Sequence, residues 1–273
     1  MIVKTFCAGG YASNTYLLIS GDSAAIIDPS IGYDELMRLL LGNMPKINYI
    51  ILTHAHFDHI LKIDEWKEQT GAEVLVGEKE CSALSDPYVN CYRIFLRKSA
   101  GYFGEYKTLS DNEIINLGTE SIKVVFTPGH TAGGIALYAD NSLFVGDTVF
   151  AYGAIGRTDL PGSDYKKLSE SIKKIQSFPD DTKIFPGHGE PTYVSLIKKL
   201  RKNNKIFPLV LYGFSVAATH LVSIKKTTQK PQKTKNRTKQ KERTNRKNRN
   251  VLSFFVCLMK SLQGNDEIFT SFR

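Results

Sequence analysis

Residues 53–59 read THAHFDH, with histidines at positions 54, 56 and 59 and an aspartate at position 58. The segment follows Tyr49–Thr53 (YIILT), a short β-branched run that predicts a buried strand. Side chains two residues apart at a strand end can point to the same side, so His54 and His56 can reach one point in space. Neutral imidazole is the commonest metal ligand among side chains. The segment therefore predicts a metal site at the end of this strand.

Two further histidines occur in similar surroundings. His130 ends TPGH and His188 lies in FPGHGE, so five of the six histidines fall in three short segments. A Pro-Gly pair ends a strand sharply and exposes the next side chain at its tip. One isolated histidine after Pro-Gly is more often an ordinary loop residue than a ligand. The combination with THAHFDH and with FVGD, which ends at Asp147, favours a metal site much more strongly.

The composition favours a folded chain. It has 273 residues, of which 42% are hydrophobic and 23% are charged, which suits one large domain or one domain with an extension. The four cysteines form no C-x-x-C pair, which argues against a disulfide scaffold and a thiolate zinc site. The first twenty residues lack the pattern of a secretory signal, so we expect a cytoplasmic location.

The net charge of +9 is unevenly distributed. Counting Lys, Arg, Asp and Glu gives +11 for 208–273 and −2 for 1–207. The slightly acidic body disfavours a polyanionic substrate. We predict a domain over 1–207 and a low-complexity, disordered basic tail over 208–273. That tail is interpreted either as an arm for nucleic acid or acidic lipid, or as a non-native extension encoded by A-rich codons. Ile206–Ile224 is uncharged and near the length that spans a bilayer, but it contains Pro208 and His220.

The periodicity of the body predicts mixed α/β structure, with strands and helices alternating over two similar halves. The predicted strands are Thr15–Ser20, Ala24–Asp28, Tyr49–Thr53, Glu73–Val76, Ile122–Thr127, Ile135–Tyr138, Ser142–Val145 and Lys183–Phe185. The predicted helices are Asp34–Leu41, Leu61–Thr70, a helix capped by Asp164 that runs to Gln176, and one near Tyr193–Asn203.

The motifs THAHFDH, TPGH, FVGD and FPGHG, in this order over about 1–204, resemble the metallo-β-lactamase superfamily. The sequence segments GDTVFAYGAIGRTDLPGSDY and FPGHGEPT resemble the glyoxalase II (hydroxyacylglutathione hydrolase) branch of this superfamily, particularly its single-domain bacterial relatives. The resemblance implies a four-layer αβ/βα sandwich with a metal site at one edge of two facing sheets. It departs from full glyoxalase II after Asn204, where the helical domain that supplies glutathione contacts is not recognisable.

The resemblance also implies a ligand set for two divalent metal ions. Zinc is the default, and iron and manganese tolerate the same donors. Asp58 is expected both to ligate metal and to orient the attacking hydroxide, and Arg157 of IGRTDL is expected to bind the substrate, although it could equally form a surface salt bridge. The implied ligands are His54, His56 and His130 for the first ion, Asp58, His59 and His188 for the second, and Asp147 as the bridge between them.

These residues predict a metal-dependent hydrolase that cleaves small-molecule thioesters, such as hydroxyacylglutathione, by attack of a metal-bridging hydroxide. No G-x-S-x-G serine elbow is present. One alternative is a mononuclear iron persulfide dioxygenase, and N-acyl-homoserine lactonases are weaker rivals. A third hypothesis is a metal-binding interaction module whose tail contacts nucleic acid or membrane. A true lactamase is disfavoured because subclasses of that group use cysteine ligands and are exported.

Overall fold

The computed structural model describes residues 1–202 except Gly9 and Met44, together with 207–208. Six strands form the first sheet in the spatial order of the chain. Strands β1 to β3 pair antiparallel, and β3 to β6 pair parallel. The strands are β1 (Ile2–Phe6), β2 (Thr15–Ser20), β3 (Ser23–Ile27), β4 (Lys46–Leu52), β5 (Glu73–Gly77) and β6 (Lys107–Leu109). The helices of this half are α1 (Tyr33–Leu39), α2 (Ile63–Thr70), α3 (Cys81–Ser85) and α4 (Tyr92–Leu96).

The second sheet comes from the following part of the chain. Its strands are β7 (Ile114–Leu117), β8 (Glu120–Phe126), β9 (Ile135–Ala139), β10 (Ser142–Gly146), β12 (Lys183–Pro186) and β13 (Thr192–Tyr193), and their spatial order is β13-β12-β10-β9-β8-β7. Helices α5 (Tyr165–Gln176) and α6 (Val194–Lys202) belong to this half. The short strands β11 (Ala154–Ile155) and β14 (Phe207–Pro208) pair parallel with each other.

Alternation along the strands sorts the apolar side chains into three buried clusters. Ile26 of β3 packs in a cluster with α1 and α2, whereas its neighbour Ile27 faces the second sheet. In β8, Val124 faces the first sheet and Val125 packs with α5 and α6. This period-two burial on both faces of both sheets produces four layers, helix–sheet–sheet–helix. The expected αβ/βα sandwich is therefore confirmed.

The strand directions bring four loops to one place. Because β8 and β10 are both antiparallel to β9, and β10 is parallel to β12, the carboxyl ends of β8, β10 and β12 lie at one edge of the second sheet. The end of β4 meets them across the sandwich, where the Ile135 N–H donates a 2.9 Å hydrogen bond to the Thr53 carbonyl. The loops that follow these four strand ends hold every histidine of the predicted site.

The predicted elements recur in the structure with boundary shifts of a few residues. The Asp164 cap is confirmed, since its carboxylate accepts hydrogen bonds from the backbone N–H groups of Lys166 and Lys167. Helix α2 begins at Ile63, two residues later than predicted. The sequence analysis did not identify β1, β6, β7, β11, β13, β14, α3 or α4. Within the described residues, no helix has the length and apolar character needed to cross a bilayer. Apart from Pro208, the predicted tail lies outside the described residues, and the 207/208 domain boundary stays a prediction.

Candidate metal centre

The loop after β4 supplies four of the predicted ligand residues. His54, His56 and His59 are buried, while the Asp58 side chain keeps 15% exposure. The loop is folded by its own backbone, since the His59 N–H donates to the His56 carbonyl at 2.9 Å. This turn directs side chains from a seven-residue segment into one small volume.

The second sheet supplies the other three residues from three separate loops. His130 follows β8, Asp147 follows β10, and His188 follows β12. Gly187 lies so close to the Asp147 carboxylate and the His59 ring that a β-carbon at this position would collide with both. The glycine before His188 is therefore required for the loops to approach each other.

All seven predicted ligand residues converge in the structure. Asp147 lies between them, with Oδ2 3.6 Å from both His130 Nε2 and His188 Nε2, and Oδ1 3.4 Å from His59 Nε2. Three groups of ligand atoms each lie within 4.8 Å of one another: His54, His56 and His130; His54, His59 and Asp147; and Asp58, His59 and His188. The first of these groups is the set of three residues that the resemblance implied for one ion, and we call it the first trio. The third group is the set implied for the other ion, and we call it the second trio.

The donor atoms of this cluster fit metal ions. Among the described residues, the buried side-chain atoms without a hydrogen-bond partner include five at this centre: the Nε2 atoms of His54, His56, His59 and His188, and Oδ1 of Asp147. Buried polar atoms are normally satisfied, so several unpartnered nitrogen and oxygen atoms gathered in one volume require another explanation. Imidazole nitrogens with carboxylate oxygens are a donor set for zinc, iron or manganese.

Hydrogen bonds on the far side of the rings fix which nitrogen carries the proton. The His130 Nδ1 atom donates to the Arg157 carbonyl at 3.0 Å, so the lone pair of a neutral ring lies on Nε2. The Thr53 hydroxyl donates to Asp28 at 2.6 Å, which leaves it to accept from His54 Nδ1 at 3.1 Å. Each bond directs an unprotonated Nε2 toward the cluster, as metal ligation requires.

Asp28 organises this network and was not among the predicted site residues. It is buried, its Oδ1 accepts from the Thr53 N–H at 2.8 Å, and its Oδ2 lies 2.8 Å from His59 Nδ1. Asp28 also adopts a left-handed backbone conformation, with φ of 52°. A signal for it exists in the sequence, since Asp28 ends an apolar strand much as Asp147 does after FVG.

The carboxylates and imidazoles shift one another's pKa values in opposite directions. Burial lowers the pKa of His56 to about 3, and it lowers the pKa of His54 and His130 as well. Burial alone would also lower the pKa of His59, but the carboxylates of Asp28, Asp147 and Asp58 raise it well above its ordinary value. Burial would raise the pKa of Asp147, yet the neighbouring His188 and His59 rings hold it well below its usual range. The centre is therefore built to concentrate positive charge around an ionised Asp147.

Arg157 flanks the centre, and its guanidinium has a strong partner. Its Nε and Nη2 atoms each lie 2.6 Å from a carboxylate oxygen of Asp159, and its guanidinium carbon is 5.7 Å from the centre of the Phe95 ring. The Phe95 ring stacks on Phe57, which lies between the ligand residues His56 and Asp58. Thus the predicted substrate-binding residue is beside the site but is already ion-paired.

Comparisons with known proteins identify the family of this chain. Residues 8–188 match the family model described as the metallo-beta-lactamase superfamily, and the chain therefore belongs to that superfamily. It is similar to the probable metallo-hydrolase MJ0888 of Methanocaldococcus jannaschii, with 36% identity over 205 residues that cover 66% of this chain and 89% of that protein.

Two solved structures resemble this fold at similar levels of identity. The crystal structure of the BLEG-1 B3 metallo-beta-lactamase has a TM-score of 0.68 and 32% identity, covering 72% of this chain and 97% of that one. The crystal structure of TTHA1623 in a di-iron-bound form has a TM-score of 0.63 and 29% identity, covering 73% and 98%.

Proposed function

We propose that the protein is a dinuclear metal-dependent hydrolase of thioesters. The observation that supports this most directly is the convergence of seven nitrogen and oxygen donor residues, four of them with unpartnered imidazole nitrogens, around the Asp147 carboxylate. In this proposal His54, His56 and His130 would hold one cation, Asp58, His59 and His188 would hold the other, and the Asp147 carboxylate would be shared between them. When bound, two divalent cations lower the pKa of a shared water and polarise the substrate carbonyl.

The open side of the centre is where Asp58 and His188 lie. Their side chains keep 15% and 22% exposure, whereas His59 is fully covered. Burial would raise the pKa of Asp58, but the His59 and His188 rings lower it, so this carboxylate is ionised at neutral pH. An ionised carboxylate on the accessible side is placed to accept a hydrogen bond from the attacking water and orient it. This supports the catalytic role proposed for Asp58.

The proposed thioester preference rests on the glyoxalase II-like sequence segment around Asp147 and on Arg157. The backbone carbonyl of Arg157 lies beside His130 and its guanidinium is paired with Asp159, so a carboxylate of an acylglutathione would have to compete with Asp159 for the planar fork of Arg157. We propose zinc as the native metal from the donor set, while TTHA1623, a di-iron protein in its crystal structure, makes iron the chief competitor.

The test combines metal analysis with a substrate panel on the full-length chain. Protein prepared with zinc, iron or manganese is assayed with S-D-lactoylglutathione, a neutral thioester, a homoserine lactone and a β-lactam. We expect about two metal equivalents per chain, the thioesters to be hydrolysed fastest, and Asp58→Asn to lose most turnover. The matched control Asp34→Asn changes an exposed acid in the first turn of α1 and should leave turnover unchanged.

The panel also separates the competing functions. Preferential β-lactam or lactone hydrolysis would keep the hydrolase and overturn the thioester assignment. One iron per chain with oxygen uptake on glutathione persulfide would replace the hydrolase by a dioxygenase. Metal binding without turnover of any panel member would favour the interaction module.

A further inference from the structure

Glu80 is a buried acid that has no part in the ligand set. It lies between β5 and α3 and is 1% exposed. Its Oε1 accepts a 3.0 Å hydrogen bond from the Ala55 N–H, and its Oε2 accepts a 2.8 Å hydrogen bond from the Gly133 N–H. Burying a carboxylate is costly unless its oxygens are well satisfied, and here both oxygens are bonded to backbone donors.

The two donors belong to the two loops that supply the first metal trio. Ala55 is the residue between His54 and His56, at the end of the first sheet. Gly133 follows His130 by three residues, at the end of the second sheet. One carboxylate therefore connects the backbone that bears two ligands to the backbone that bears the third.

The packing around Gly133 makes this connection tight. A β-carbon on Gly133 would collide with the backbone of Lys79 and Glu80, and one on Gly77 would come within 2.7 Å of the Gly133 carbonyl oxygen. The segment from Gly77 to Glu80 thus sits against the His130 loop without room for a side chain between them. Small displacements of Glu80 are transmitted to the loop backbone because close-packed groups cannot move independently.

We propose that Glu80 is a positioning residue, whose carboxylate holds the His54–His56 pair at the separation from His130 that the first metal ion needs. This inference rests on the proposed function. Glu80 acts through the backbone N–H groups of Ala55 and Gly133, and the Thr131 side chain also interacts with its carboxylate. In the absence of the Glu80 carboxylate the 2.9 Å contact between His130 Nε2 and His56 Nδ1 would remain, but the two backbones that carry the three imidazoles would have one restraint fewer against moving apart before a cation binds. Residues that orient metal ligands typically account for about 10-fold to 100-fold in metal affinity.

The experiment uses the full-length protein loaded with Co²⁺, whose d–d absorption reports each site, followed by release into excess chelator. Glu80→Gln keeps the size of the side chain but replaces one acceptor oxygen by an NH₂ group, which cannot accept from a backbone N–H. His56→Ala and His188→Ala identify the first-trio and second-trio release phases. We expect Glu80→Gln to accelerate the first-trio phase about tenfold and to change its spectrum, with the other phase unchanged.

A matched control separates positioning from general stability. Thr182 is fully buried and donates a 2.9 Å hydrogen bond to Asn141, next to the amino end of β12 and away from the cluster. Thr182→Val removes that bond in a side chain of nearly the same shape. It should lower the thermal midpoint without altering cobalt release. Gly133→Ala is a second variant, because it displaces the same loop while leaving the Glu80 carboxylate intact, and it should accelerate the same phase.

Each outcome decides the inference. If Glu80→Gln folds and its cobalt release and cobalt spectrum match those of the wild-type protein, the inference is overturned and the proposed function still stands. Equal acceleration in Thr182→Val also overturns it, since the effect would then be one of stability. If Glu80→Gln does not fold, Gly133→Ala decides, and wild-type release in that variant overturns the inference. If the wild-type protein takes up no cobalt, the proposed function itself fails.

Discussion

The imidazole of His59 donates a hydrogen bond from Nδ1 to Oδ2 of Asp28 across 2.8 Å. The same oxygen accepts from the Thr53 hydroxyl, which in turn accepts from His54. A single carboxylate outside the predicted ligand set therefore orients two predicted ligand residues, one in each of the two histidine trios.

Asp28→Asn tests that relationship. Three donors point at this side chain, and an asparagine offers one oxygen where the carboxylate offers two. We expect His59 to lose its fixed tautomer and zinc affinity to fall about 10-fold to 100-fold. Competition with a chromophoric chelator measures this. Unchanged affinity for both zinc equivalents would contradict the role given to Asp28.

Asp147→Asn tests the bridge between the two trios. The amide keeps the shape but removes the charge that faces His59, His130 and His188. We expect loss of about one metal equivalent and a fall in turnover of about 10²-fold or more. Metal content and rate are measured on the same preparation. Full occupancy with near-normal turnover would show that Asp147 does not bridge.

Metal binding should strengthen as pH rises above neutrality. His59 and His188 are bases whose pKa values are raised in the metal-free protein, so they bind protons more tightly there than free imidazoles do. That protonation stabilises the metal-free fold fully below the ordinary pKa of 6.5, and the stabilisation is lost as pH rises through the raised values. A cation displaces these protons. Zinc titrations in buffers of different ionisation enthalpy should therefore show proton release at pH 7 that diminishes at higher pH. Zinc uptake at pH 7 without proton release would argue against protonated His59 and His188.

Arg157 and Asp159 form a matched pair for testing substrate binding. The guanidinium beside Asp159 holds the pKa of that carboxyl below its usual range, so the two charges largely cancel. We expect Arg157→Ala to raise KM for S-D-lactoylglutathione about tenfold with little change in kcat, and Asp159→Asn to lower KM. A neutral thioester is the control substrate, and its KM should not respond. Equal responses to both substrates would exclude charge recognition by Arg157.

Cys91 should resist alkylation although it lies near the centre. Its thiol is buried, and burial raises its pKa to about 12, with the Asp58 carboxylate adding to the rise. Cys7 is exposed and serves as the internal control. Treatment of the native protein with iodoacetamide at pH 8, followed by peptide mass spectrometry, should label Cys7 and leave Cys91 unmodified. Rapid labelling of Cys91 would show that this loop opens.

The sequence predicted the strands whose two faces are both covered, because their apolar runs are continuous. Tyr49–Thr53 and Ser142–Val145 are examples. It did not reveal β1 or β7, where exposed residues interrupt the pattern, or α3 and α4, which have five residues each and show too little periodicity. The pairing of two sheets depends on contacts between distant segments, so it came from the family resemblance and not from periodicity.

The site, like the fold, was predicted partly from residue patterns and partly from the family resemblance. Clustered histidines identified the region, and the resemblance supplied the two trios that the structure brings together. Asp28 and Glu80 escaped notice because an isolated acid at a strand end or before a helix has the appearance of a turn or cap residue. Their importance depends on backbone N–H groups and ring nitrogens that meet them only after folding. The ligand roles themselves, the cytoplasmic location and the thioester stay predictions.

Because the four ligand-bearing loops follow β4, β8, β10 and β12, the order of biosynthesis imposes an order on the centre. A nascent chain displays His54 to His59 first, completes one trio with His130, and gains His188 only when β12 has emerged to pair beside β10. His188 is therefore the last of the seven predicted donor residues to become available during synthesis. A chain stopped before β12 would lack His188, and with it one of the seven predicted donor residues.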